Sequence, residues 1–348
     1  MQFGLDEGAI ADGDDAISTG RLPDPDRVRA LVAAAHERYR DLADGVVADY
    51  IPELGEADPG LFGVAVASVK GAVFAVGDSA HEISIQSISK AFVFALVCDA
   101  IGHDEVWRTV GVNNTGLPFN SVMALELNGG SPMNPMVNAG ALATTALAPG
   151  ATAVAKWEFL HEGLSRFAGR PLALDIAVYE SEAATNQRNQ AIARLLQSYG
   201  RMAFDPLQTT DVYTKQCSLL VSTRDLAIMA ATLADGGVNP LTGERVVSAA
   251  TSRDTLAVMA TAGLYEMSGD WLYEIGMPGK SGVSGGIITV SPGKGGLATF
   301  SPPLDAAGNS VRGQVATRYL SRALGLNLFA SQVDAESGSS VATEGARP

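Results

Sequence analysis

Ser87 and Lys90 lie in the segment Gln86-Ser87-Ile88-Ser89-Lys90, three positions apart, which on a helix places them one turn apart on the same face. The run that follows, Ala91 to Ala100 (AFVFALVCDA), is apolar on every side, the pattern of a helix buried all round. A lysine at the head of such a helix is costly to bury charged. Desolvation lowers its pKa and leaves an amine able to act as a base. A serine at a helix start has free backbone N–H groups beside its oxygen, and these favour developing negative charge. The chemistry indicated is an activated serine nucleophile. The plainer alternative is that Ser87 only caps the helix and Lys90 extends its amine to water. A second Ser-x-x-Lys, Ser291-Pro-Gly-Lys294, falls in a turn between strands where no helix aligns the two side chains, and it is set aside.

Lys280-Ser281-Gly282-Val283-Ser284-Gly285-Gly286 leads into a strand. Lys-Ser/Thr-Gly on a sheet edge is the second half of the serine–lysine acyl-transfer constellation of β-lactamases and penicillin-binding proteins. A strand with glycines can bring its backbone N–H close to a substrate carbonyl, as an oxyanion hole requires. Alone, the segment reads equally as a glycine-rich turn entering a strand; helix signal early and strand signal late together favour the functional reading. Gly279-Lys280-Ser281 is not a phosphate-binding loop, because the required first glycine falls on Glu274 and a strand follows. Gly282-Val-Ser-Gly-Gly286 is not a hydrolase nucleophile elbow, which needs a helix after the serine and a histidine downstream; the last histidine is His161.

A third signal is rich in amides: Asn134-Pro-Met-Val-Asn138-Ala-Gly140, then Tyr179-Glu-Ser-Glu182 through Asn189. Glu182 and Asn189 share a face if one helix runs through both, and a loop between them is equally consistent. Asparagine offers donors and an acceptor to an amino acid, and a carboxylate can bind its ammonium. Helix caps and loop structure are the plainer reading. Tyr50, Tyr213 and Tyr265 cannot be placed from spacing.

The elements that must position these groups can be read more coarsely. The chain has 348 residues, 47% hydrophobic and 18% charged, which allows a large core and excludes global disorder. A net charge of −14 argues against nucleic acid or an anionic membrane surface as partner. No stretch of 18 apolar residues spans a membrane, and residues 1–20 lack the pattern of a signal peptide. Two cysteines, Cys98 and Cys217, make no disulfide framework and suit a reducing cytoplasm. Four histidines without ligand spacing argue against a metal site. Residues 1–22 read as a flexible acidic leader and 331–348 as a disordered polar tail. Asp24-Pro25 starts a helix that Gly45 ends. A hairpin follows from runs 62–69 and 73–76 joined at Lys70-Gly71, and helices are expected over 152–167, 186–199 and 223–234. Strands return at 286–291 and 297–301 before a last helix over 311–324. The expected fold is α+β: one mainly antiparallel sheet built from residues 60–80 and 285–302, flanked by helices, with a helical subdomain over 100–260 inserted. A crevice between the two parts would take a small ligand.

Taken together, QSISK, NPMVNAGA, the Ser-Glu followed by TNQRN, QCSLLVSTRDLA with GERVVS, and TAGLYEMSGDW with GMPGKSGVSGGI resemble the serine-dependent glutaminase family, which has the β-lactamase-like fold. The resemblance spans residues 28–328, and no family site position is substituted. It implies hydrolysis of L-glutamine to L-glutamate and ammonia with no metal or organic cofactor. It implies Ser87 as nucleophile, Lys90 as its base, and Tyr213 and Tyr265 as flanking hydrogen-bonding or proton-relay groups. Val283 matches the residue whose N–H joins that of Ser87 in the oxyanion hole. Tyr50, Gln86, Asn138, Glu182 and Asn189 match the substrate-holding positions. A homodimer or homotetramer is implied as well, sometimes responsive to phosphate. Two rivals share parts of the pattern. A β-lactamase or penicillin-binding enzyme would carry a secretion signal, and a non-catalytic amino-acid sensor would have no need of an intact Ser87 and Lys90.

Overall fold

The computed structural model describes residues 20–331; most of the leader and nearly all of the tail expected from the sequence lie outside them. Strands β1 (Gly63–Ser68), β2 (Val73–Gly77), β3 (Glu82–Ser84), β4 (Leu220–Ser222), β5 (Gly279–Ser281), β6 (Gly286–Ser291) and β7 (Gly295–Phe300) form two sheets. The larger is antiparallel throughout, in the order β2-β1-β7-β6-β5, and β3 pairs with β4 in the smaller. Strands from both ends of the chain thus share one sheet, with helices between them in sequence.

Alternation along the strands feeds two cores, because successive side chains point to opposite faces. Val64, Val66, Ile287 and Leu297 pack on one face with Val28, Val32 and Ala35 of helix Pro25–Tyr39 and with Ala316 and Leu320 of helix Val311–Ala323. Ala65, Ala67, Ile288 and Ala298 point the other way, onto Leu226, Ala227 and Ala230 of helix Thr223–Ala234. That helix lies so close to β7 that a Cβ at Gly296 would collide with Ala227 O and Ala230 Cβ.

The first helix starts where expected, with Asp24 Oδ1 accepting from Arg27 N at 3.0 Å, but it ends at Tyr39 rather than Gly45. Arg312 Nε holds Leu42 O at 2.6 Å, and Val46 N donates to Leu304 O at 2.9 Å. These tertiary bonds hold the chain off the helix axis on both sides of the glycine. Beyond the hairpin, β3 leads directly into a 3-10 turn, Gln86–Ile88, and then helix Ser89–Ile101. Ile85 N donates to Leu219 O at 2.8 Å, so the small sheet sets the position at which that turn begins.

Replacing Gly296 with Val should cost about 2–3 kcal/mol through overpacking. Urea denaturation checks it: a midpoint equal to that of the wild type would show that helix Thr223–Ala234 can draw back from β7.

Candidate active site

Ser87 sits in the 3-10 turn and Lys90 is the second residue of helix Ser89–Ile101. Neither plain alternative from the sequence holds. No side-chain cap bond forms at the start of the turn or of the helix, and Lys90 is only 1% exposed. Residues 89–98 of this helix are all buried, so the amine does not extend along the helix surface into solvent. Lys90 Nζ donates to Asn138 Oδ1 at 2.6 Å and to Met136 O at 3.4 Å, both neutral acceptors. Desolvation brings its pKa down to about 8, against weaker opposing fields of Cys217 and Glu182.

The acceptors are themselves held. Asn134 Oδ1 receives Met136 N at 2.9 Å and Val137 N at 3.2 Å, and its amide donates to Asn113 O at 2.7 Å. Gly140 is required here, since a Cβ would run into Asn134 O as helix Asn138–Leu147 turns over this loop. Asn138 spends its carbonyl oxygen on Lys90 and so presents its amide to Asn189 Oδ1 at 2.9 Å.

A cavity of about 270 Å³ opens above these groups, lined among others by Tyr50, Gln86, Ser87, Asn138, Glu182, Asn189, Tyr213 and Val283. Glu182 and Asn189 come from two helices, Ile176–Thr185 and Gln187–Ser198, broken at Asn186, whose amide donates to Thr214 Oγ1 at 3.0 Å. The break settles the alternative the sequence left open: a junction separates them, yet both face the same space. Glu182 is 7% exposed; burial pushes its pKa up to about 7, opposed by a hydrogen bond from Gln86 and the field of Lys90. Its Oε2 has no hydrogen-bond partner, a costly state for a buried carboxylate that an incoming cationic group would relieve.

Tyr265 contacts the same centre from beneath. Its hydroxyl hydrogen-bonds the Ser87 side chain and donates to Ser281 O at 3.3 Å. Burial pushes its pKa up to about 12 and that of Tyr213 well above the usual phenol value, so both hydroxyls keep their protons. Among the described residues, Gln86 (φ 50°) and Tyr265 (φ 58°) are the non-glycine residues at positive φ. Such strain costs on the order of 1–3 kcal/mol each and collects at functional sites. On the sheet side, β5 is the edge strand, and Lys280 on it is fully buried, with Nζ donating to Ser281 O at 2.7 Å and lying 4.4 Å from the centre of the Tyr265 ring. Burial, reinforced by Lys90, lowers its pKa well below the usual value.

The architecture and this cavity agree with a match of the glutaminase family model to residues 45–329. The chain belongs to the glutaminase family. It is 56% identical over 318 residues to glutaminase 2 of Yersinia pestis, covering 91% of this chain and 94% of that one. It is 49% identical over 307 residues to a glutaminase of Brucella canis, covering 88% and 97%. Among solved structures, a probable glutaminase, YbaS, superposes with a TM-score of 0.88 at 45% identity, over 89% of this chain and all of that one. Mglu in its glutamate form superposes with a TM-score of 0.84 at 39% identity, over 88% and 70%. The β-lactamase-like, mixed α/β fold expected from the motifs is the fold of this glutaminase.

Sequence reading missed several residues of the site. Phe119 lines the cavity, lies 4.7 Å from the Tyr265 ring between centroids, and accepts Asn138 N at its carbonyl at 2.8 Å. Asn120 and Arg188 line it too, joined by Arg188 Nε donating to Asn120 O at 2.9 Å. Arg188 lay within a quoted motif and its charge was a usable signal; Phe119, in an irregular stretch, offered none. Among the described residues no group of three or more His, Cys, Asp or Glu side chains could hold a metal ion, and no helix is long and apolar enough to cross a membrane.

A carboxyl group whose pKa is raised on folding loses stability as pH climbs from its unfolded value through the folded one. Relative to Glu182→Gln, the ligand-free wild type should therefore lose about 3 kcal/mol between pH 4.5 and 8. Urea titrations of both proteins at the two pH values test this; a constant difference between them would mean that Glu182 is ionised without penalty.

Proposed function

We propose that this glutaminase hydrolyses the side-chain amide of L-glutamine to L-glutamate and ammonia by double displacement at Ser87. The observation that carries the reading is one cavity lined by Ser87 and by Glu182, whose Oε2 has no partner, with the buried amine of Lys90, its pKa lowered, bonded to Asn138 of the same cavity wall. Neutral Lys90 takes the Ser87 proton, directly or through a tyrosine hydroxyl, as Oγ attacks the δ-carbonyl. Backbone N–H groups of Ser87 and Val283 receive the oxyanion; loss of one such donor typically costs ~10²–10³ in rate. The proton then passes to the departing nitrogen, with Tyr213 and Tyr265 as flanking relay hydroxyls. Ammonia leaves, and water activated by the same base cleaves the γ-glutamyl ester.

Glu182 meets the α-ammonium of the substrate, which supplies the partner its Oε2 lacks. Asn138 and Asn189 hold the α-carboxylate, Gln86 orients Glu182, and Tyr50 closes the mouth. The catalytic unit occupies residues 23–330, needs no metal or organic cofactor, and assembles as a homodimer or homotetramer. A cytoplasmic location suits its free, buried Cys98 and Cys217.

Ser87→Ala should abolish ammonia release from glutamine and any covalent glutamyl adduct detectable by mass spectrometry; an active variant would remove the mechanism. Because the base must be uncharged, kcat/KM should rise with pH through about 8, the Lys90 value, and then level off. A profile flat between pH 6 and 9 would exclude Lys90 as the group that titrates.

A further inference from the structure

A chain of buried hydrogen bonds, none of them made by a cavity-lining side chain, runs through three of the helices that deliver the site. Thr145, on helix Asn138–Leu147, donates from Oγ1 to Gln216 Oε1 at 3.1 Å. Gln216, on helix Pro206–Cys217 beside Tyr213, donates from Nε2 to Ser89 Oγ at 3.4 Å. Ser89, at the head of helix Ser89–Ile101, donates to Gln86 O at 2.8 Å. Thr145, Gln216 and Ser89 are each fully buried, so water offers no substitute partners. The donors all point the same way, an arrangement in which each bond polarises the next. The chain ends on the carbonyl of Gln86, the strained residue immediately before the nucleophile.

We propose that Gln216 is a positioning residue of the glutaminase reaction, which fixes the Ser87 turn relative to Lys90, Asn138 and Tyr213 through Ser89 and the Gln86 carbonyl. The inference rests on the acyl-enzyme reading above. A side-chain amide is the group suited to this place, since one planar head both accepts from Thr145 and donates to Ser89. Each of its neighbours along the chain belongs to an element that carries a site residue: Asn138 seven positions before Thr145, Tyr213 three before Gln216, Lys90 next to Ser89. A left-handed backbone at Gln86 is not self-sustaining, and it persists only where its surroundings hold it. Without Gln216 the Ser89 hydroxyl loses the donor that fixes its orientation and can turn from the Gln86 carbonyl toward Cys217 Sγ, 4.0 Å away, and the Ser87 turn can relax.

The test is Gln216→Met, which keeps the volume and removes both bonds, with Gln216→Glu as the conservative variant. Ammonia release from L-glutamine is the readout. For Gln216→Met, kcat should fall about tenfold to a hundredfold, because a misplacement on the order of 1 Å has that cost. KM should stay within about threefold, because no substrate contact is removed. A protonated glutamate offers a carbonyl acceptor and a hydroxyl donor in the same places. The activity of Gln216→Glu relative to the wild type at the same pH should therefore be highest at low pH and fall as pH rises, on top of the Lys90 dependence that both share. Undiminished kcat in Gln216→Met, even with a lowered melting temperature, would reduce the chain to a stability element and overturn the proposal; so would a Gln216→Glu profile parallel to the wild type. If Gln216→Met does not fold, Ser89→Ala removes the links to both Gln216 and the Gln86 carbonyl, and an unchanged kcat there overturns the proposal equally. Wild-type protein run alongside separates the two readings. No ammonia from the wild type removes the glutamine-hydrolysis reading itself, whereas normal wild-type turnover beside an undiminished variant removes only the role of Gln216.

Discussion

A lysine amine enclosed without a carboxylate is the condition on which this site depends. Salt-bridged lysines stay charged and are poor bases. Lys90 instead meets a side-chain amide oxygen and a backbone carbonyl, at the head of a helix buried on all sides. Glu182 contributes only a weak field at this lysine. The apolar helix excludes water, and the Asn134 loop supplies acceptors with no net charge. Together they hold the amine near the boundary between its two protonation states. A carboxylate in place of Asn138 would hold the proton on the lysine.

The neighbouring strain follows from the same economy of space. Gln86 and Tyr265 bring their segments together at Ser87 in left-handed conformations, and each is braced from outside. Pairing of β3 with β4 and the Ile85–Leu219 bond fix the approach to Gln86. Ser268 Oγ donates to Tyr265 O at 2.7 Å and receives Leu264 N at 3.0 Å, which pins the other turn. Close packing of helix Thr223–Ala234 on Gly296 of β7, and of β1 on Gly295, gives the sheet little freedom to slide. Stable, well-paired elements thus offset local conformations that would be unfavourable alone.

Much of this was legible in the chain itself. The all-round apolar run after Lys90 announced a buried helix, and with it a perturbed lysine. The hairpin at Lys70-Gly71 and the late strand pair followed from strand-like runs and turn residues, and the helix over 223–234 from residues at helical spacing. The first helix ends at Tyr39 rather than at Gly45, a good local stop signal, and the chain beyond it is held at Leu42 by Arg312, 270 residues away in sequence. Phe119 went unnoticed because it belongs to an irregular stretch, where neither period nor composition marks which side chain turns inward.

By itself, the sequence determined the local elements, the all-round burial of the helix carrying Lys90, and, through its motifs, membership in a family with a serine and a lysine one turn apart. Those properties depend on neighbours within a few residues, where periodicity and residue type are enough. Tertiary structure decided that Lys90 meets only neutral acceptors, that Glu182 keeps one oxygen unpartnered, and that residues as distant as Thr145 and Gln216 form one buried chain to the turn that carries Ser87. Desolvation and hydrogen-bond satisfaction are properties of the space around an atom. That space is filled by segments whose approach no local pattern encodes.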